Sequence, residues 1–223
     1  MTPSLARHHE GGNAGACLDH FGLRYALAHG GDEAGDALVA HLARLSARSR
    51  RLRFGYQIGE NTLARLAEPE AGRLILLLND EAGVARGAVT LHRVDARTVE
   101  LGVSVEDALQ GRGLGRALLE AALSRADAAG AERMLVVCLA ENRAMRRLVA
   151  LAEGEMRFED DEAVAWLDIP RARAALLPAP ALPALPVPRI ETRLPSVALL
   201  AHAVAHAGWR LALAPFLGPV PRG

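Results

Sequence analysis

Residues 98–119 read TVELGVSVEDALQGRGLGRALL: a short apolar strand, a turn rich in glycine and arginine, and a helix that opens directly out of the turn. No other stretch constrains the chain as tightly. The first turn of a helix carries backbone N–H groups with no intrahelical acceptor, and the helix dipole adds partial positive charge at the same end. Glycines at 111, 113 and 115 let the backbone approach an anion closely, and Arg112 and Arg116 add full charges with forked donors. The arrangement reads as a pyrophosphate cradle. Two common versions of such a cradle are excluded by single residues. A dinucleotide fingerprint beginning at Gly111 needs glycine at 116, where there is arginine, and a Walker loop needs a lysine that this chain does not have.

Lysine is missing throughout; all 26 basic residues are arginine. That excludes Schiff-base chemistry on a lysine. Charges balance to zero, which leaves no basic excess to suit nucleic acid or an anionic membrane. Cys17 and Cys138 are too few for a disulfide scaffold or a zinc site, so the expected compartment is a reducing cytoplasm and no metal is expected. The N-terminal stretch lacks the apolar core of a signal peptide, and no run of about 20 apolar residues predicts a membrane span.

Periodicity and turn chemistry predict the order of elements. Phe21 to Ala28 is a candidate first strand. Asp32 is an N-cap for a helix to about Ala47, on which Leu38, His41, Leu42 and Leu45 share one face. The basic run ARSRRLRFGY (47–56) is either a solvated face or a wall beside an anionic ligand, and a short helical segment follows near Asn61 to Ala67. Arg73 to Leu78, Val84 to Val94 and Thr98 to Val105, joined by short turns, form an antiparallel meander. The helix after Gln110 runs to Gly130 and leads into the apolar run Met134 to Ala140, a strand–helix–strand crossover that implies a parallel pair. Glu141 to Ala152 is a further helix, and Gly154 to Phe158 with Ala163 to Ile169 is a last pair of strands.

The expected fold class is therefore α/β of the α+β kind: a mixed, mostly antiparallel central sheet of about six to seven strands flanked by helices. Residues 1–19 are expected as a flexible lead-in and 20–170 as the globular domain. A proline-rich linker is expected at 171–195, and a C-terminal amphipathic helix and tail at 196–223. Ten of the twelve prolines fall between Pro170 and Pro221. His202, His206 and Arg210 make a polar stripe on that last helix, which reads as docking on the core or on a partner rather than as a metal site.

The residues Gln110 to Gly115 fit Q-x-x-G-x-G, and the match continues on both sides. VELGVSVEDALQGRGLGRALLEAAL resembles the fourth strand, phosphate loop and third helix of the GNAT N-acetyltransferase superfamily, and RMLVVCLAENRAMRRL resembles its fifth strand and following helix. LSARSRRLRFGY is similar to a stretch of bacterial GNAT proteins related to protein-lysine acetyltransferases. The resemblance covers about residues 20 to 170 and implies a GNAT-like sheet with acetyl-CoA as co-substrate. It implies that the loop Gln110, Gly111, Arg112, Gly113, Leu114, Gly115 and Arg116 binds the coenzyme, with the N–H groups from Arg112 to Arg116 on the pyrophosphate. It implies that the backbone of Val103 and Val105 pairs with the pantetheine arm like an added strand, and that Asn142 contacts the same arm. Independently, Gly102 inside a strand predicts a bulge or a close backbone approach, in keeping with the bulged fourth strand of the family.

Acetyl transfer to an amine needs a neutral nitrogen, and a lysine-like amine of pKa about 10.4 is only roughly one part in a thousand neutral near pH 7. A carboxylate can take that proton. Strand alternation sets Glu100, Gly102 and Ser104 on one face against Val99, Leu101, Val103 and Val105 on the other, and Glu100 is the candidate base. In the related lysine acetyltransferases the corresponding position carries the catalytic glutamate. His92 is the second choice, and Glu106 and Asp107 belong to the loop. The backbone N–H near Val103 is the candidate oxyanion donor. Many family members carry a tyrosine acid where this chain has Val149. The expected function is an acetyl-CoA-dependent N-acetyltransferase acting directly on a primary amine, of a protein lysine or a small molecule. The alternatives are a non-catalytic acyl-CoA-binding sensor and a small structural domain. No nucleic acid or membrane span is expected among the partners, and a homodimer is compatible with the sequence.

Overall fold

The computed structural model describes residues 17–20, 23–29 and 33–176. The expected helix at 196–214, with His202, His206 and Arg210, and most of the expected linker lie outside the described residues. The strands are β1 (Cys17–His20), β2 (Leu23–His29), β3 (Arg73–Asn79), β4 (Ala85–Arg93), β5 (Thr98–Val105), β6 (Arg133–Leu139), β7 (Glu155–Glu159) and β8 (Glu162–Asp168). The helices are α1 (Glu33–Arg44), α2 (Ala47–Phe54), α3 (Glu60–Ala64), α4 (Leu114–Ala128), α5 (Arg143–Leu151) and α6 (Ile169–Leu176). One sheet holds all eight strands in the order β1-β2-β3-β4-β5-β6-β8-β7. Every neighbouring pair is antiparallel except β5 with β6. The sheet is mixed and mostly antiparallel as expected, and β1 takes it past the expected six or seven strands by using residues at the edge of the expected lead-in.

Apolar burial follows from the strand patterns. On β3, a continuous apolar run, Leu76 and Leu78 enter the core beneath α4, while Ile75 and Leu77 enter a second cluster beneath α1. A strand covered on both faces needs no alternation, which is why RLILLL carries none. Leu38 and Leu42 of α1, Leu45 just after it, and Leu63 of α3 complete the second cluster. Leu118, Leu119, Ala122 and Leu123 of α4 complete the first, together with Met145 and Val149 of α5.

The globular unit extends beyond the expected boundary at Pro170. Ile169, Ala172 and Leu176 of α6 are buried in the first cluster. The reason is local: Asp168 accepts from the Arg171 N–H at 2.9 Å as an N-cap, and a proline at the start of a helix loses only an N–H that had no intrahelical acceptor. Among the described residues, no helix is long and apolar enough to cross a membrane.

Candidate active site

The site begins where two strands part. The parallel pair β5–β6 is in register only at Thr98–Arg133, Val99–Met134 and Glu100–Leu135, although each strand continues for several residues. Beyond Glu100 the strands diverge, and the edge of β5 from Leu101 to Val105 is left without a strand on the β6 side. On its other side β5 stays paired with β4 without interruption from Val99 to Val105. An extended ligand can therefore add to the free edge as a strand would. Glu100 stands at the apex of this fork, partly buried, with no hydrogen bond or ion pair among the described residues. Its cross-strand neighbour is His92, whose Nδ1 lies 3.5 Å from a Glu70 carboxylate oxygen. The hydrogen bond from His92 holds the Glu70 carboxyl below the usual carboxylate range.

At the open end of the fork lies the glycine loop. Gly111 and Gly113 adopt φ of 74° and 82°, a left-handed conformation that a side chain rarely takes. Gly113 is the N-cap of α4 and no side chain caps that helix. Ala117 is the first residue to bond back, to the Gly113 carbonyl at 3.1 Å, so the N–H groups of Leu114, Gly115 and Arg116 precede the first intrahelical bond. Arg112 is exposed and has no partner among the described residues. Gly115 lets α4 approach α5, where a Cβ would touch Leu148 at 3.4 Å.

One face of the fork is roofed by α2, which contacts both β5 and β6. This helix buries no residue fully; it is held by polar ties at both ends. Ser46 caps it by accepting from Ser49 N–H at 3.2 Å. Asp107 accepts from Ser46 N–H, Ser46 Oγ and Ser49 Oγ at 3.0, 2.7 and 2.7 Å, which binds the start of α2 to the glycine loop. At the other end Arg51 pairs with Glu141, and Asn142 Nδ2 donates to the Leu52 carbonyl at 3.2 Å. Arg53 reaches inward, donating to Thr90 Oγ1 at 2.6 Å, and its guanidinium lies so close over Gly102 that a Cβ there would overlap it. Burial pulls the Arg53 guanidinium below the usual arginine range, and the Glu100 carboxylate opposes this. Deeper on the same face His41 Nε2 and Ser104 Oγ are 2.9 Å apart, and burial pushes the His41 ring down to about 4.

The expected site residues divide into two groups. Glu100, Val103, Val105 and the backbone of Gly111 to Arg116 converge on the fork and its mouth. Gln110, Asn142 and the Arg116 side chain instead hold protein together. The Gln110 amide donates to the Val105 carbonyl at 3.0 Å and to Ser49 Oγ at 3.2 Å. Asn142 caps α5 through Met145 N–H at 3.1 Å while bonding Leu52, so both ends of its amide are engaged. Arg116 pairs with Glu120 at 2.7 Å and donates to the Leu176 carbonyl at 2.8 Å, directed at α6 rather than the loop mouth. Glu106 and Asp107 are loop residues as expected, Glu106 binding Arg44 and Arg86.

Of the bulge or close approach expected at Gly102, there is no bulge toward β4. Register along β4–β5 is continuous, and the glycine instead makes room for Arg53. Arg53 is the residue that sequence reasoning did not single out; the pairing of a mid-strand glycine with a basic helix was its only signal. Val149 is 2% exposed and packed in the core, so no hydroxyl takes the tyrosine's place there. Cys138 is buried, and burial raises its thiol to about 11, which makes it a poor nucleophile. A groove of about 440 Å³ lies elsewhere, between α5 and β7, lined in part by Arg143, Arg146, Arg147 and Phe158.

Comparison with known proteins agrees with this geometry. The chain matches the Acetyltransferase (GNAT) family over residues 38–151. Among solved structures, the GNAT domain of S. lividans PAT superposes with a TM-score of 0.61 at 22% identity, covering 69% of this chain and 96% of that one. The yncA protein of Salmonella typhimurium, solved with its cofactor acetyl-CoA, gives 0.52 at 21% identity over 65% and 94%. The ribosomal-protein-S5-alanine acetyltransferase of Vibrio fischeri gives 0.54 at 13% identity over 69% and 96%. No curated protein matches the chain by sequence. With more than half of its length inside the family match and with a glycine loop and helix N-terminus at the open end of the fork, this chain is an acetyltransferase of the GNAT family.

Proposed function

We propose that the protein transfers the acetyl group of acetyl-CoA directly to a primary amine, with Glu100 as the base. The observation that carries the proposal is the parting of β5 from β6 at Glu100, with the glycine loop at the open end. The N–H groups from Arg112 to Arg116, with the Arg112 side chain, suit the pyrophosphate. The free edge at Val103 and Val105 suits the amide-bearing pantetheine arm, which brings the thioester toward the apex. There Glu100 takes the amine proton and a backbone N–H near Val103 faces the developing oxyanion. The nitrogen forms its bond to the carbonyl carbon, the C–S bond breaks and its electron pair leaves on sulfur. Cys138, with its thiol at about 11, is unsuited to an acyl-enzyme route.

The acceptor class within primary amines follows from an assay. Purified protein given acetyl-CoA and a panel of lysine peptides, amino acids, polyamines and aminoglycosides is expected to release coenzyme A with at least one of them. Tight acetyl-CoA binding without release on any amine would instead select the sensor reading, which the buried valine at 149 favours.

A further inference from the structure

We propose that Arg53 stabilises the thiolate that leaves during acetyl transfer, supplying by charge what the chain lacks as an acid at Val149. The inference rests on the proposed function and adds a catalytic residue to it. Three features of the fork support it. The guanidinium is fixed against β5 at Gly102, one same-face position beyond Glu100, where successive same-face residues are about 7 Å apart. It therefore lies over the face of β5 at the level of the free edge that the thioester would occupy, just outward of the base, with one donor turned toward Thr90 of β4. Its one hydrogen bond among the described residues goes to a neutral hydroxyl, Thr90 Oγ1, and no carboxylate lies within 4.0 Å, so most of its five N–H donors are uncommitted. A partly buried guanidinium without a carboxylate partner is costly unless an anion visits it. Finally, α2 buries no residue fully yet is tied across the fork at Asp107, Glu141 and Asn142, which keeps this one cation in place over the parting strands.

The chemistry balances with Glu100 and solvent alone. Glu100 takes the ammonium proton and passes it to solvent, the neutral nitrogen bonds the carbonyl carbon and gives its second proton to Glu100, the C–S bond breaks, and the sulfur keeps the electron pair beside Arg53. The titratable and charged groups that act on the guanidinium are Glu100 on the sheet face and His41 on α1.

The first readout needs no acceptor, and the turnover readout uses an amine from the panel that supports release of coenzyme A. The thiol of coenzyme A bound to the full chain is titrated by its thiolate absorbance. In the native protein it is expected roughly one to three pH units below the free thiol's value of about 8.5. Arg53→Met should return it to about that free value and lower kcat at least tenfold with little change in the KM for acetyl-CoA. Arg53→Lys should keep most of the lowering. Gly102→Ala retains the arginine but displaces its head, and should reproduce the Arg53→Met titration even if that variant folds poorly. An unshifted thiol in the native complex, or one equally shifted in Gly102→Ala, would overturn the inference and leave the proposed function standing. Failure of the native protein to bind coenzyme A at all would overturn both.

Discussion

At the central strands β4 and β5 the two faces of the sheet obey opposite rules, while toward β3 the α1 face carries its own apolar cluster. Beneath α4, α5 and α6 the inward residues of β3 to β6 and β8 are apolar: Leu76, Leu78, Val89, Leu91, Val99, Leu101, Met134, Val136 and Leu167 all belong to one cluster. Beneath α1 and α2 the central strands present Thr90, His92, Glu100, Gly102 and Ser104, answered by Arg53 and His41. Alternation on β5 divides a single strand between these roles. Odd positions from Val99 hold the fold together, and even positions from Glu100 carry polar groups whose burial is costly unless they are paired or used. Substitutions on the two faces should therefore separate stability from activity.

The sharpest separation is expected from Glu100→Gln. Loss of a general base should lower kcat by about 10²- to 10⁴-fold, while urea unfolding changes by less than about 0.5 kcal/mol because the carboxylate has no hydrogen-bond partner to lose. Equal loss of turnover and acetyl-CoA affinity would assign Glu100 to the structural side of the comparison. On the opposite face, Leu118 is fully buried, and its Cδ1 approaches the position a Cβ would take on Gly87 to 3.0 Å. Leu118→Ala should cost about 2–5 kcal/mol in urea unfolding. Turnover measured below its unfolding temperature should stay within about threefold of native, since 1 kcal/mol of barrier is already about fivefold.

The polar face makes one contribution to stability that depends on pH. His41 is fully buried and its ring is depressed from 6.5 to about 4 by burial. A depressed group contributes stability above its unfolded value, and that stability is lost as pH falls. The loss should begin near pH 6.5, where the unfolded chain takes up the proton, and be complete near pH 4, where the folded protein does. The total is about 3 kcal/mol, one pH unit being about 1.4 kcal/mol. Urea unfolding from pH 7.5 to 4.5 checks the slope, and His41→Gln should flatten it. An unchanged slope would place the acid sensitivity elsewhere.

Legibility in the sequence also differs between the faces. The runs at 73–78 and 134–140 announce buried strands because apolar burial writes itself into composition, and the glycine loop is readable because Gly111 and Gly113 must adopt positive φ. The helix α2 could not be read in that way. ARSRRLRF has no apolar stripe, and what holds it in place comes from Asp107, Glu141 and Asn142, as many as 90 residues away along the chain. The same distance effect applies to Asn142, Gln110 and the Arg116 side chain. Their types suit a coenzyme, but their hydrogen bonds are filled by Leu52, Ser49, Val105 and Leu176, partners that only the folded chain brings near. Pro170 looked like an end because proline stops helices, yet with Asp168 as the cap it begins one.

The two arginines of the loop give the smallest and most discriminating contrast. Both were expected to face the pyrophosphate, yet only Arg112 is unpartnered at the loop mouth, whereas Arg116 spans from Glu120 to the end of α6. An exposed cation beside a phosphate is worth about 1 kcal/mol, so Arg112→Gln should weaken acetyl-CoA roughly threefold to tenfold by calorimetry. The difference should shrink as ionic strength rises and screens the charge. Arg116→Gln removes a surface pair and one bond to a helix terminus. It should lower unfolding free energy by about 0.5–1 kcal/mol and leave the affinity almost unchanged, because the contact proposed for residue 116 is through its backbone N–H, which glutamine retains. If Arg116→Gln weakened binding as much as Arg112→Gln, the side chain would have to swing away from Leu176 when the coenzyme arrives, and α6 would then be coupled to the site rather than merely packed behind it.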